Sequence, residues 1–268
     1  MKTMNFKVAL MMAAVIGSTA FVSCSSDDEE SPKGGGTTSK RIVKMTWSDG
    51  DEIDITTFDY DSQGRVVKEI VTDIYGSSEH TYTTTYAYVE NTIISKTGDW
   101  NDGETYTYTL SDGLIIKEVE NYKNGSYSST DTYNYTYDSN GYLKTYISED
   151  DKTEFTWTDG NLTKYTEVWD DGYSTGYSTT TVSYSDILWP KNWMHYWKGT
   201  NINQVLEPLG AWGKMPKYLP KKFVRVYDGT SREWTLDYTI ENGEIVKVIY
   251  QSIEDGEIST EITTIEWE

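Results

Sequence analysis

Cysteine, histidine, proline and positive charge are all scarce in this chain, and each scarcity removes a class of function. Among 268 residues there is one cysteine, Cys24, so neither a disulfide framework nor a thiolate cluster can form. The two histidines, His80 and His195, each lack a second histidine at metal-ligand spacing, which excludes an ordinary His-based metal centre. Against 43 Asp and Glu stand 23 Lys and Arg, a formal net charge of −20. Such a chain repels nucleic acid and anionic lipid, so neither is a partner. There is no Gly-x-Ser-x-Gly elbow, and no cofactor or resident metal is indicated.

Long apolar runs are also missing, apart from Val8–Val22 behind Lys2 and Lys7. That run is too short to span a membrane and has the form of a secretory signal over residues 1–23. A small residue, Ser23, precedes Cys24, as lipoprotein processing requires, so Cys24 is expected to be lipidated. The mature chain then has 245 residues (268 minus 23) and, without the two leader lysines, a charge of −22. Residues 24–40 are small, charged and glycine-bearing, with nothing to bury, and form a flexible tether. The acids Asp27–Glu30 resemble the surface-export tag of Bacteroidetes lipoproteins. The expectation is therefore an outer-membrane lipoprotein facing the cell exterior, with the periplasmic face as the alternative. Contact with the membrane is through the lipid alone.

From Arg41 on, what is present is a period of two with glycine turns at regular intervals. Asp49-Gly50, Gln63-Gly64, Asp112-Gly113, Asn124-Gly125, Asn140-Gly141, Asp159-Gly160 and Asn242-Gly243 are examples. Asn-Gly and Asp-Gly supply the positive φ of a tight hairpin at little steric cost. Counting the turns gives about a dozen strands. Phe58–Ile70, Tyr108–Glu120, Tyr135–Ile147 and Phe155–Val168 repeat one another: an aromatic strand, a turn, then an aliphatic strand with lysine. Tyr133, Tyr135 and Tyr137 alternate with Thr132, Asn134 and Thr136, so one face is aromatic and the other mostly hydroxyl. The fold class is all-β: a large meandering antiparallel sheet curled into a soluble barrel or half-barrel, one domain over 41–268. A membrane pore would need an outward aliphatic band about 25 Å tall. The second face instead carries Thr, Lys and Glu.

Residues 186–222 break the pattern. They hold every proline beyond Pro32, four tryptophans and a local excess of lysine. This stretch reads as an ordered insertion, with a Trp-rich turn, a short helix near Asn201–Leu209 and an extended return through Pro216 and Pro220. It is expected to pack against the aromatic face or open end of the sheet. The Tyr-x-Tyr-Asp-x-x-Gly hairpins resemble YD repeats. Together with Asn201-Ile202-Asn203 and the run Leu209–Pro220, they resemble a Bacteroidetes lipoprotein family of unknown function with a porin-like sheet. That resemblance covers 41–268 and implies a curled sheet around a central insertion. It implies no activity and no catalytic residues.

The candidate ligand-binding residues are Trp189, Trp193, Trp197 and Trp212, read either as a stacking platform or as a plug filling the sheet's concavity. Trp100 and Trp169 sit beside turns. The acidic segments 49–54 and 149–151 read as turn chemistry rather than calcium loops. With 43 acids, some pair will reach glycosidase spacing by accident, so enzymatic activity is not expected. The chain reads as a non-enzymatic binding or scaffold module for glycan or protein. The alternatives are a carrier of an apolar ligand and a glycoside hydrolase using paired carboxylates.

Overall fold

The computed structural model describes residues 40–98, 103–170, 175–195, 202–254 and 257–268. The leader, Cys24, most of the tether, Trp100, Trp197, Asn201 and the turns at 171–172 and 255–256 lie outside the described residues. The strands are β1 (Ile42–Ser48), β2 (Glu52–Tyr60), β3 (Val66–Tyr75), β4 (Ser78–Val89), β5 (Thr92–Gly98), β6 (Glu104–Ser111), β7 (Leu114–Asn124) and β8 (Tyr127–Tyr137). They continue as β9 (Leu143–Ile147), β10 (Asp151–Thr158), β11 (Asn161–Asp170), β12 (Thr175–Leu188), β13 (Tyr218–Tyr227), β14 (Thr230–Glu241), β15 (Glu244–Glu254) and β16 (Glu257–Trp267). Each pairs antiparallel with its chain neighbours, and β16 pairs with β1, which closes a sixteen-stranded barrel. Closure removes the unpaired edges that an open sheet of this length would expose.

Counting Asx-Gly turns undercounts these strands, because several hairpins turn without that signature. Gly76 reverses β3 into β4 at φ 58°, Glu90 reverses β4 into β5 at φ 48°, and Ser148 caps the β9–β10 turn by accepting from Asp151 N–H at 2.9 Å. Where the YD-type motif occurs, its aspartate serves the backbone. Asp61 Oδ1 accepts from Gln63 and Arg65 N–H, and Asp138 Oδ1 from Asn140 and Tyr142 N–H.

Eight similar hairpins make up the wall, the eighth formed by β16 and β1 across the chain ends. Each buries an inward pair near one end of the barrel: Phe58 with Val66, Tyr108 with Ile115, Tyr135 with Leu143, and Ile265 with Ile42 are examples. Two positions beyond the buried residue of the pair's first strand, a ring reaches back to the preceding hairpin. Tyr88, Tyr137 and Tyr184 hydroxyls and the Trp267 indole each donate to a main-chain carbonyl 22 residues earlier, at 2.7–2.8 Å. Tyr60 makes the same bond to Ile42 at 2.6 Å, across the closing seam. A bond of this kind contributes about 0.5–1.5 kcal/mol, and here it recurs around the ring.

The insertion joins β12 to β13 at that same end and spans 189–217, narrower than the sequence indicates. Asp186–Leu188 belong to β12 and Tyr218–Lys222 to β13. Pro220 lies inside β13, opposite Tyr184 at a register shift, where a missing N–H is tolerated. The short helix is 3-10 and covers Gln204–Leu209. Asn203 Oδ1 caps its start by accepting from Val205 N–H, and Gly210 at φ 69° ends it. Backbone bonds fix the insertion to the wall: Ile115 N–H to Ala211 O at 2.8 Å, Lys214 N–H to Gly141 O at 2.9 Å, and Lys217 N–H to Gly160 O at 2.9 Å. Gly213 allows this approach, since a Cβ there would meet Gly141 O at 2.5 Å. The insertion is thus a plug seated in one end of the barrel.

The outward wall carries charge along its length: Lys96, Lys117, Lys144, Lys152, Glu154, Lys164 and Asp237 are all exposed. Exposed Ile94, Ile116, Ile147 and Val168 are interspersed among them. Threonine pairs such as Thr136 with Thr145 at 2.7 Å bridge neighbouring strands on this side. Among the described residues no helix is long and apolar enough to cross a membrane.

Candidate binding chamber inside the barrel

The plug occupies the end bearing the turns at 61–65, 112–113, 138–142 and 159–160. Toward the opposite end, the inward positions of β1–β8 and β14–β16 do not meet it. Two adjoining chambers of about 480 and 590 Å³ remain there, both bordered by Glu69 and Gln204. Volumes of this size fall within the ~300–1,000 Å³ of small-molecule pockets. Trp193, Met194, His195, Asn203 and Gln204 of the plug form the floor.

The wall is made of carboxylates set among aromatic rings. Glu69, Glu104, Glu118 and Glu120 line the first chamber with Tyr86, Tyr106, Tyr108 and Tyr133. Asp54, Glu69 and Glu261 line the second with Trp47, Tyr82 and Tyr250. Strand alternation puts them there: Glu118 and Glu120 share a face, as do Glu104, Tyr106 and Tyr108. Among the described residues, neither lining contains a lysine or arginine.

Hydrogen bonds hold most of these acids in place. Tyr135 donates to Glu118 Oε2 at 2.5 Å, Tyr86 to Glu69 Oε2 at 2.9 Å, and the Trp47 indole to Glu261 Oε2 at 3.1 Å. The single phenol hydrogen of Tyr106 faces both Glu104 at 3.2 Å and Glu120 at 3.1 Å, so it serves one at a time. Burial pushes the Glu118 carboxyl up to about 7, and nearby Glu120 adds to the rise against the Tyr135 bond. Asp54 is raised to about 6 by burial first and then by Asp73 and Glu52. Glu69 and Glu120 are raised as well, again mainly by burial. Desolvated carboxylates without a counter-charge behave this way. Among the described residues, Asp54 Oδ1 and Trp193 Nε1, buried polar atoms lining the second chamber, have no hydrogen-bond partner.

The tryptophans singled out from the sequence occupy different places. Trp212 is 1% exposed, with its ring edge-on to Tyr108 at 6.1 Å and Tyr135 at 5.0 Å. Its indole donates to Asn203 O at 2.9 Å. Trp193 is 3% exposed and stacks on Trp267, while Trp189 is partly buried against His195. Trp193 and Trp212 therefore stand in the plug, and of these two only Trp193 borders a chamber. Trp169 packs on Tyr227 at 5.3 Å. His80 is exposed on β4, whereas His195 is buried between rings, with burial pulling it down to about 3. The carboxylate of Asp49 accepts from Asp51 and Glu52 N–H, which is turn chemistry.

The chamber acids were not identified from the sequence. A signal for them exists: Glu104, Glu118 and Glu120 fall in step with the aromatic face, where an acid is out of place in a plain core. Comparison with solved structures finds the same architecture in a porin-like protein from Bacteroides uniformis ATCC 8492, 18% identical, with a TM-score of 0.63 over 85% of this chain and 96% of that one. A porin-like protein from Bacteroides vulgatus ATCC 8482 is 14% identical, with a TM-score of 0.58 over 85% and 99%. No curated protein matches the sequence. A family model described as a domain of unknown function (DUF4595) with porin-like fold matches residues 58–248, most of the barrel wall and all of the plug, and the chain belongs to that family.

Proposed function

We propose that this chain is a non-enzymatic binding module that takes a hydroxyl-rich guest, such as the end of a glycan, into the chamber above its plug. The observation that carries this is the lining itself: fixed carboxylate acceptors, phenol and indole groups, and ring faces converge on two adjoining, solvent-open chambers inside the barrel. Hydroxyls can donate to the acids while sugar C–H faces lie on the rings, and a pre-formed site spends little on ordering itself. An apolar cargo fits poorly, because it would strip water from six carboxylates and return no hydrogen bond.

The charged outer wall belongs in water rather than lipid, so the membrane contact is assigned to Cys24 alone. Lys40 lies at the plug end, where Asn192 Nδ2 donates to its carbonyl at 2.9 Å. The described barrel therefore begins at that end, and the chamber lies toward the other. Labelling cells with a palmitate analogue should mark the protein and fail to mark Cys24→Ser. Equal labelling of both would remove the anchor.

Thr84 and Thr97 face the first chamber and bond each other at 3.0 Å. Thr84→Trp fills that space and is expected to weaken binding on an oligosaccharide panel by at least roughly tenfold, about 1.4 kcal/mol, with the barrel's circular dichroism unchanged. Full binding by that variant would place the site elsewhere. One observation favours hydrolysis as a second reading. Glu118 and Glu120 lie two positions apart on one strand face, roughly 7 Å, inside the spacing of inverting glycosidases. Product release from the same panel, lost in Glu118→Gln, would replace the binding reading with that one.

A further inference from the structure

We propose that the guest of this chamber carries a positively charged amine, as an amino sugar or a polyamine does, and that the six carboxylates of the lining are its recognition set. This rests on the reading that the chamber is a binding site, and it names the class of guest.

The sorting of charge through the barrel leads to this class. The wall lysines Lys96, Lys117, Lys144, Lys152 and Lys164 are exposed, so none of them neutralises the lumen. The lumenal Arg225 is committed elsewhere, to Glu167 at 3.1 Å and to Ser178 at 3.0 Å, on the side formed by β11–β13. Asp54, Glu69, Glu104, Glu118, Glu120 and Glu261 thus line two adjoining chambers with no cation among the described residues lining them. A cavity of one sign with apolar walls focuses its field and concentrates opposite charge. An ammonium group offers several donors at once, which suits acids that now share one phenol hydrogen, as Glu104 and Glu120 do. The rings of Trp47, Tyr82 and Tyr250 line the same space and add favourable faces for a cation.

A second observation is independent of the acids. Trp193, 3% exposed, borders the chamber with an indole N–H that has no acceptor among the described residues. A buried donor left without a partner is destabilising, and a guest hydroxyl or ring oxygen would relieve it. Asp54 bonds Asp73, yet its Oδ1 has no partner among the described residues and asks for the converse, a donor. A guest that combines ammonium and hydroxyl groups answers both.

The test titrates the full chain, following tryptophan fluorescence and heat, with four probes: a glucosamine tetramer, its fully N-acetylated counterpart, cellotetraose and spermidine. The glucosamine tetramer is expected to bind at least roughly tenfold tighter than the two neutral tetramers at low salt, and the margin should shrink as ionic strength screens it. Glu118→Gln combined with Glu120→Gln should cut that margin by roughly threefold or more, since two of the six acids are then neutral with their size kept while the other four still attract the cation. Equal binding of charged and neutral tetramers overturns the amine while leaving the glycan reading intact. Binding of spermidine alone keeps the amine and removes the sugar. Silence from all four overturns both, and an unchanged margin in the double variant overturns the assignment of these carboxylates.

Discussion

Replacing Trp212 by alanine is expected to cost about 3–5 kcal/mol, the range for removing a fully buried large aromatic. The indole is 1% exposed, edge-on to Tyr108 and Tyr135, and donates to Asn203 O at 2.9 Å. Alanine leaves a cavity between plug and wall and strands that carbonyl. Damage then spreads through Asn203, whose side chain caps the 3-10 helix and whose Nδ2 reaches the Tyr108 hydroxyl at 3.4 Å. For a barrel of this size the loss corresponds to a fall in Tm of roughly 6–20 °C. Urea unfolding followed by circular dichroism measures it directly. Trp189→Ala, which removes a partly buried ring, should cost less than half as much. A loss below about 1 kcal/mol for Trp212→Ala would show that the plug does not pack as described.

The wall of this barrel is written locally, and that is why it could be read. Alternation of Tyr133, Tyr135 and Tyr137 with Thr132, Asn134 and Thr136 fixes which face turns inward, because a strand places successive side chains on opposite sides. The prolines and tryptophans between β12 and β13 mark the interruption for the same local reason. Closure was not legible. It depends on the pairing of Ile42 with Trp267 and of Ser48 with Ile262, contacts more than 200 residues apart that no window of sequence contains. Even so, the closing seam obeys the repeat, since Tyr60 clasps Ile42 as Tyr137 clasps Ile115. The binding chamber is harder still to see. Tryptophan draws attention in a sequence, yet Trp212 is core, whereas the distinctive groups are glutamates whose meaning depends on facing inward. Glu118 and the exposed Glu154 are alike in composition and differ only in phase along the strand.

Glu118→Gln is expected to stabilise the empty barrel, and to do so only above acid pH. Burial holds the Glu118 carboxyl at about 7 in the fold against an ordinary 4.5, with Glu120 acting in the same sense and the Tyr135 hydroxyl in the opposite one. Across that window the folded chain keeps a proton that the unfolded chain has lost, so the contribution of Glu118 to stability falls as pH rises from 4.5 through 7. Glutamine preserves an oxygen for Tyr135 and cannot ionise. At pH 8 the variant should be more stable by on the order of 2–3 kcal/mol, and near pH 4.5 the two proteins should coincide. The native profile alone conceals this. Buried His195, pulled down to about 3, loses stability as pH falls below 6.5, and Asp61, held low by Arg65 and its turn amides, loses it at still lower pH. Both groups are present in each protein, so the difference between the two curves isolates Glu118. A difference that stays flat from pH 4.5 to 8 would show that the chamber does not raise this acid. If the difference has the expected shape, adding the glucosamine tetramer at pH 6.5, where its amines still carry charge, should narrow it, because an ammonium beside Glu118 stabilises the ionised native form and offers nothing comparable to the amide. An acid kept at such a site, where its amide would make the empty protein more stable, is the pattern of a residue retained for what it binds.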